Sequence, residues 1–411
     1  MASATNVTII GAGPYGLSLA AHLKARDVQF RIFGDPMRFW RDMPVGVNLK
    51  SLAFATNVYV PESGHTFPEW CRRNGLEDFE PCTMQSYAAY GCEIQKRFVP
   101  ELEEVFVTNV RRQGDGFEVT LASGEHFHSH RVISCTGLTG LSHVPKELRG
   151  LGPERVRHTF DISNYGEFQG KKVAVIGAGA SAVEAGALVL EGGGTSEVFV
   201  RGGEVIIHDE RSPRVRPLWD RIVNPMTVLG ASRRGWVLEH LPFLVYHLPR
   251  ARRTEFVKRY LGPASPWWIH DRVVGKVPIH MRHEMVQAEA SGNGVALKFR
   301  KADGQTTTVE FDFVVAGTGY EVDVARLPYL DPELIRHIRC IERAPELNRH
   351  FESSVPGLYF AGPISFMCFG PLFRFVSGAE IAAHSLSRRL ASTAPLKRGG
   401  TVGALSSPPA Q

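Results

Sequence analysis

Three short glycine-bearing stretches of this 411-residue chain have residue types and spacings that could do chemistry: GAGPYG at 11–16, GAGASA at 177–182 and GTGY at 317–320. Glycines spaced this way let a chain turn tightly and let a phosphate approach the backbone, and a helix that follows offers its free N–H groups to the anion. The first stretch is embedded in NVTIIGAGPYGLSLAAHLKARDVQFRIFG. Residues 7–10 read as a buried strand, 17–23 as a helix and 28–33 as a second strand, so Gly11, Gly13 and Gly16 have the βαβ context that makes the motif specific. Gly11 permits the turn, Gly13 admits a pyrophosphate and Gly16 allows close helix–strand packing. The acid expected at the end of the second strand is displaced: Gly34 stands there and Asp35 follows.

The second unit, GKKVAVIGAGASAVEAGALVLEGGGTSEVFVRGG, repeats the pattern with Gly177 and Gly179, and Ala182 takes the third glycine's place. Its next strand, 198–200, ends in Arg201, whose guanidinium suits a 2′-phosphate; a solvent-facing arginine is the plainer alternative. Two such units about 166 residues apart imply two dinucleotides, FAD and NADPH. The fold expected is α/β, with two Rossmann-like dinucleotide-binding domains, the second inserted into the first. Residues 1–150 and 316–390 would form the FAD domain and 151–315 the NADPH domain. VISCTG at 132–137 and VVAGTG at 314–319 read as crossovers beside a cofactor. Residues 358–361 read as a strand meeting a turn at Gly362, and Gly370 and Pro371 as the opening of an apolar helix aimed at the flavin.

By composition, 43 % hydrophobic and 22 % charged residues describe a globular protein too long for one core. The six cysteines contain no CxxC pair, and their spacing fits neither a zinc site nor a redox dithiol; reduced thiols are expected, and no metal site. The net charge of +5 is mild and concentrated in residues 211–259, which suits anionic cofactors and does not form a nucleic-acid stripe. Residues 236–249 are too short to span a bilayer, and the N-terminus shows no secretory signal, so a cytoplasmic protein is expected. Residues 204–278 carry tryptophans, arginines and helix-breaking prolines and read as an insertion that lines or lids a substrate tunnel. Residues 391–411 read as a disordered tail.

Over residues 5–390 the chain resembles the class B flavoprotein monooxygenases, which include the flavin-containing monooxygenases, the Baeyer–Villiger monooxygenases and the lysine/ornithine N-hydroxylases. GAGPYG matches their FAD motif, GAGASA their NADPH motif and DFVVAGTGY at 312–320 their hinge, with Gly317 replacing alanine. HTFDISNYGEFQGKK keeps His158, Asp161, Phe168, Gly170 and Lys171 of the flavin-containing monooxygenase signature, but has Ile162 in place of tyrosine. NLKSLAFATNVYVPESGHTFPEW is similar to the N-hydroxylases' L-K-D-L segment, with Ser51 in place of aspartate.

The resemblance implies a catalytic place for Lys50, near the nicotinamide or the substrate, and for Asn57. The alternatives are a solvated lysine at a strand end and a turn-stabilising asparagine. Cofactor contacts are implied for Asp35, Trp40, Gly137, His158, Ser181, Thr318 and Gly319. The implied reaction passes a hydride from NADPH to FAD, forms a C4a-(hydro)peroxyflavin with O₂, and oxygenates nitrogen or sulfur of a small amine or sulfide. Baeyer–Villiger oxygenation, an NADPH-dependent flavin reductase serving a protein partner, and an NADPH sensor stay open, as does a homo-oligomer.

Overall fold

The computed structural model describes residues 5–77, 80–208, 216–260 and 264–392. In chain order the first unit contributes β1 (Thr5–Ile10), α1 (Pro14–Lys24), β2 (Phe30–Phe33), α2 (Phe67–Arg73), α3 (Met84–Phe98), β3 (Val107–Gln113), β4 (Gly116–Leu121) and β5 (His126–Ser134). The chain then crosses to β6 (Val156–His158), β7 (Lys172–Ile176), α4 (Ala180–Glu191), β8 (Thr195–Val200), α5 (Arg233–His240), α6 (Arg250–Arg259) and β9 (Ile279–Met281). An antiparallel ribbon follows, β10 (Glu284–Ser291), β11 (Gly294–Arg300) and β12 (Thr306–Phe311), and then β13 (Phe313–Ala316). The chain returns to the first unit with β14 (Leu358–Phe360) and α7 (Gly378–Ser392).

The first sheet runs β2-β1-β5-β4-β3, with β14 parallel to the end of β5. The second is fully parallel, β9-β8-β7-β13-β6. These are two Rossmann-like dinucleotide-binding domains, the second inserted into the first. The parallel strands are apolar on both faces because helices cover both sides: β7 and β13 are buried almost throughout. Helix α1 is buried along nearly its whole length, because α7 packs on it and brings residues 378–392 back to the first βαβ unit.

Two expectations need correction. Gly370 and Pro371 do not open the long C-terminal helix; they join two short helical turns, and α7 starts at Gly378. Gly370 opens only the short 3₁₀ turn Pro371–Arg374; it has a φ of +99° and its missing Cβ would meet Val245 of the insertion at 2.9 Å, so glycine here also serves close packing. The expected tail begins inside α7, which runs to Ser392; residues 393–411 lie outside the described residues, as do 209–215 and 261–263 of the insertion. The antiparallel pieces, β3–β4 and β10–β12, were not anticipated. No helix among the described residues is long and apolar enough to cross a membrane.

Candidate dinucleotide sites and their junction

The two fingerprints are built alike. After β1, Gly11 has a φ of +112° and a Cβ there would lie 2.5 Å from the Cys135 carbonyl oxygen, just past β5. After β7, Gly177 has a φ of +145° and a Cβ would lie 2.2 Å from the Gly317 carbonyl oxygen, just past β13. Each first glycine therefore abuts an x-Thr-Gly turn, Cys135-Thr136-Gly137 or Gly317-Thr318-Gly319, on the neighbouring parallel strand. The crevice between two such strands is where open α/β sheets bind ligands. The crossovers are thus equivalent parts of two similar sites. Burial pushes the Cys135 thiol up to about 12, so this sulfur stays a protonated packing group.

Gly16 cannot be larger, since its Cβ would sit 1.9 Å from the Gly11 carbonyl oxygen. At the equivalent place Ala182 is accommodated because Gly317 has no side chain: a Cβ on Gly317 would fall 2.5 Å from the Ala182 Cβ. The two departures from the family pattern offset each other. Gly13 and Gly179 are the N-caps of α1 and α4 and provide no side-chain cap, leaving the first-turn N–H groups to a ligand. Trp40 closes the side of Gly13, its ring 3.4 Å from where a Cβ would stand, and rests edge-on against Tyr87. Ser377, immediately before α7, has a buried hydroxyl without a hydrogen-bond partner among the described residues. A cradle that a Cβ would fill and an orphaned hydroxyl at a helix N-terminus fit a dinucleotide such as FAD.

The second site fits a nicotinamide dinucleotide: Ser181 and Arg201 are exposed at the mouth of the crevice. Arg282, held by its N–H to the Gly202 carbonyl, adds a second guanidinium against Gly203.

The crossovers are pinned to each other. Ser142 bridges Tyr320, His143 N–H donates to the Gly319 carbonyl at 2.8 Å, and Thr318 Oγ1 donates to the His143 carbonyl. His158 is buried; its Nδ1 accepts from Phe160 N–H, so Nε2 carries the proton and donates to the Gly319 carbonyl at 2.9 Å. Burial holds this imidazole below its ordinary pKa. The structure thus gives His158 a place in the hinge. Asp35, the candidate ribose ligand, is engaged by Arg41 at 2.6 Å. Gly362, with a φ of +96°, faces the Tyr15 ring, whose hydroxyl donates to the Phe375 carbonyl at 2.8 Å.

Lys50 and Asn57 do not converge on one another. Asn57 is buried; its Oδ1 accepts from Phe67 N–H at 2.8 Å at the start of α2, and its Nδ2 reaches the Phe54 carbonyl. Lys50 donates to the Asn48 carbonyl at 2.7 Å and forms an ion pair with Glu184 on α4. Burial lowers the Lys50 pKa, and Glu184 opposes that shift. Glu184 is 2 % exposed and also accepts from Arg272 at 3.3 Å, which in turn grips Glu191 at 2.8 Å. Glu184 and Arg272 escaped the sequence reading, although Glu184 is the lone charge within the apolar run 180–190. The insertion also touches the first unit, with Tyr246 stacked on Phe369 at 5.5 Å. Trp219, by contrast, is 75 % exposed and lines no interior space. Among the described residues no cluster of His, Cys, Asp or Glu could hold a metal.

A family model, pyridine nucleotide-disulphide oxidoreductase, matches residues 8–229, more than half of the chain. The chain belongs to this family. A ferredoxin–NADP reductase of Symbiobacterium thermophilum is 24 % identical over 372 residues, covering 87 % of this chain and 84 % of that protein. Among solved structures, an ornithine hydroxylase of Pseudomonas aeruginosa shares the fold with a TM-score of 0.75 and 17 % identity, over 95 % of this chain and 99 % of that one. The ornithine N-hydroxylase of Kutzneria sp. 744, solved with reduced FAD, NADP⁺ and L-ornithine, gives 0.72 and 16 %, over 94 % and 99 %.

Proposed function

We propose that this family member is an FAD-containing, NADPH- and O₂-dependent monooxygenase that oxygenates nitrogen or sulfur of a small amine or sulfide. The carrying observation is the pair of matching crevices, one on each sheet, joined by two crossovers pinned at Gly319. The shared fold with two ornithine hydroxylases over nearly the whole chain supports nitrogen as the atom oxidised. On this reading residues 1–150 and 316–390 hold FAD through Gly11, Gly13, Trp40 and the N-terminus of α7. Residues 151–315 hold NADPH through Gly177, Gly179, Ser181 and Arg201. When bound, the flavin supplies hydride acceptance and oxygen activation. The chain's own residues orient the nucleotides and keep water out. Lys50, its charge compensated by Glu184, acts as a fixed hydrogen-bond donor beside the junction and not as a source of net positive field.

The ferredoxin–NADP reductase relative favours a second reading, electron delivery from NADPH to a protein acceptor. Turnover under isotopically labelled oxygen separates the two: label in a hydroxylamine or sulfoxide supports the monooxygenase. Rapid ferredoxin reduction with no label in any product from an amine and sulfide panel would replace it with the reductase. Arg201→Ala is expected to raise KM for NADPH about tenfold or more and leave KM for NADH nearly unchanged, the mark of a lost contact to the 2′-phosphate. Equal effects on both cofactors would remove Arg201 from the site.

A further inference from the structure

Eleven positions apart in sequence, Cys71 and Cys82 have their sulfurs 3.8 Å apart in the fold. Cys71 lies on α2, fully buried, and Cys82 stands on the extended segment that leads into α3, 5 % exposed. Neither is part of a disulfide. We infer that Cys71 and Cys82 form a redox-active dithiol that hydrogen peroxide closes to a disulfide.

The geometry favours it. A disulfide needs its sulfurs about 2.05 Å apart, so the gap to close is roughly 1.8 Å, shared between two side chains. Cys71 sits near the C-terminus of a seven-residue helix, and Cys82 lies outside any helix or strand, so closing this gap need not unwind a long element. The remaining thiols differ. No Sγ–Sγ contact is seen among Cys92, Cys135, Cys340 and Cys368 in the described structure.

The chemistry balances. One thiolate attacks a peroxide oxygen, the O–O bond breaks, and hydroxide leaves a sulfenic acid on that cysteine. The second thiol then attacks this sulfur and displaces water. Two thiols are oxidised, one peroxide is reduced, and two waters form. The pair is also wired to the Lys50 segment, because Leu49 N–H donates to the Cys82 carbonyl at 2.9 Å and Asn48 bridges Thr83. Movement of Cys82 on closure therefore reaches the segment that carries Lys50.

The test uses full-length protein, reduced and freed of reductant, then exposed to hydrogen peroxide under native conditions. Remaining thiols are alkylated after denaturation and the peptides are analysed by mass. The expected result is a crosslinked peptide pair holding Cys71 and Cys82, about 2 Da lighter than the reduced pair, reversed by dithiothreitol, with the other thiols still alkylated. In Cys82→Ser, Cys71 should instead accumulate as a sulfenic acid trapped by a dimedone-type probe. Persistence of both thiols in the wild type, or crosslinks scrambled among other cysteines, would overturn the inference whether or not the variant folds. Flavin and NADPH play no part in the readout, so its failure and the failure of the proposed function are separately visible.

Discussion

Glu184 sets the strongest constraint found at single-residue scale. A carboxylate that is 2 % exposed holds Lys50 of the first unit and Arg272 of the inserted unit together. Removing it would leave Lys50 without its carboxylate partner and Arg272 with Glu191 alone, and breaking a buried pair of this kind costs on the order of 3–5 kcal/mol. Glu184→Ala should therefore lose about 3 kcal/mol or more in urea denaturation. Glu101→Ala, which breaks the exposed Lys24–Glu101 pair, should cost no more than about 0.5 kcal/mol in the same assay. Similar losses for the two would show that the junction is wet. Gly317 is legible at the same scale, but only as a glycine in the usual alanine's place; the partner that explains it, Ala182, lies 135 positions away in sequence.

For the elements, two contacts invite measurement. A methyl on Gly317 would press β13's turn into α4, at 2.5 Å from the Ala182 Cβ and 2.6 Å from its Cα. Gly317→Ala is expected to cost about 1–3 kcal/mol as an overpacked site. Adding Ala182→Gly should recover part of it, not all, since the new methyl still presses on the backbone at 182; a double-mutant cycle with zero coupling would refute the contact. The other contact joins α1 to α7, where the His22 and His384 rings meet edge-on at 4.6 Å. His22 is buried, donates from Nδ1 to the Ser18 carbonyl, and has its pKa lowered chiefly by burial. The unfolded chain takes up this proton first as pH falls, so the neutral ring's stabilisation is complete above its ordinary value of 6.5 and is lost below it. His158 acts in the same direction. Each contributes a slope of up to about 1.4 kcal/mol per pH unit below that value. Denaturation midpoints that stay flat through this window would contradict neutral buried imidazoles.

Across the whole molecule, the first and last described segments meet at one site: the Gly11–Gly16 turn and the Gly362–Gly378 region are joined by Tyr15. A ligand bound there stabilises everything between its contacts. FAD at about a hundredfold excess over its Kd should add about 2.7 kcal/mol to unfolding, read as a concentration-dependent rise in Tm. No rise on adding FAD to flavin-free protein would remove the flavin from the first crevice.

The sequence by itself determined the two nucleotide units, their nesting and the placement of their glycines. Strand–turn–helix patterning is local, and a backbone that must take a positive φ or yield to a neighbouring carbonyl admits little besides glycine. It also marked 204–278 as a departure from the Rossmann pattern, because prolines interrupt helices wherever they stand. Only the tertiary structure decided what the polar side chains do. Lys50 is paired with Glu184, His158 is tied to Gly319, Asn57 supports α2, and two thiols with no recognisable spacing are in contact. Lys50 and Glu184, 134 positions apart, and His158 and Gly319, 161 apart, are brought together by how the sheets and crossovers pack, and even the nearer pairs follow no periodicity that the chain records.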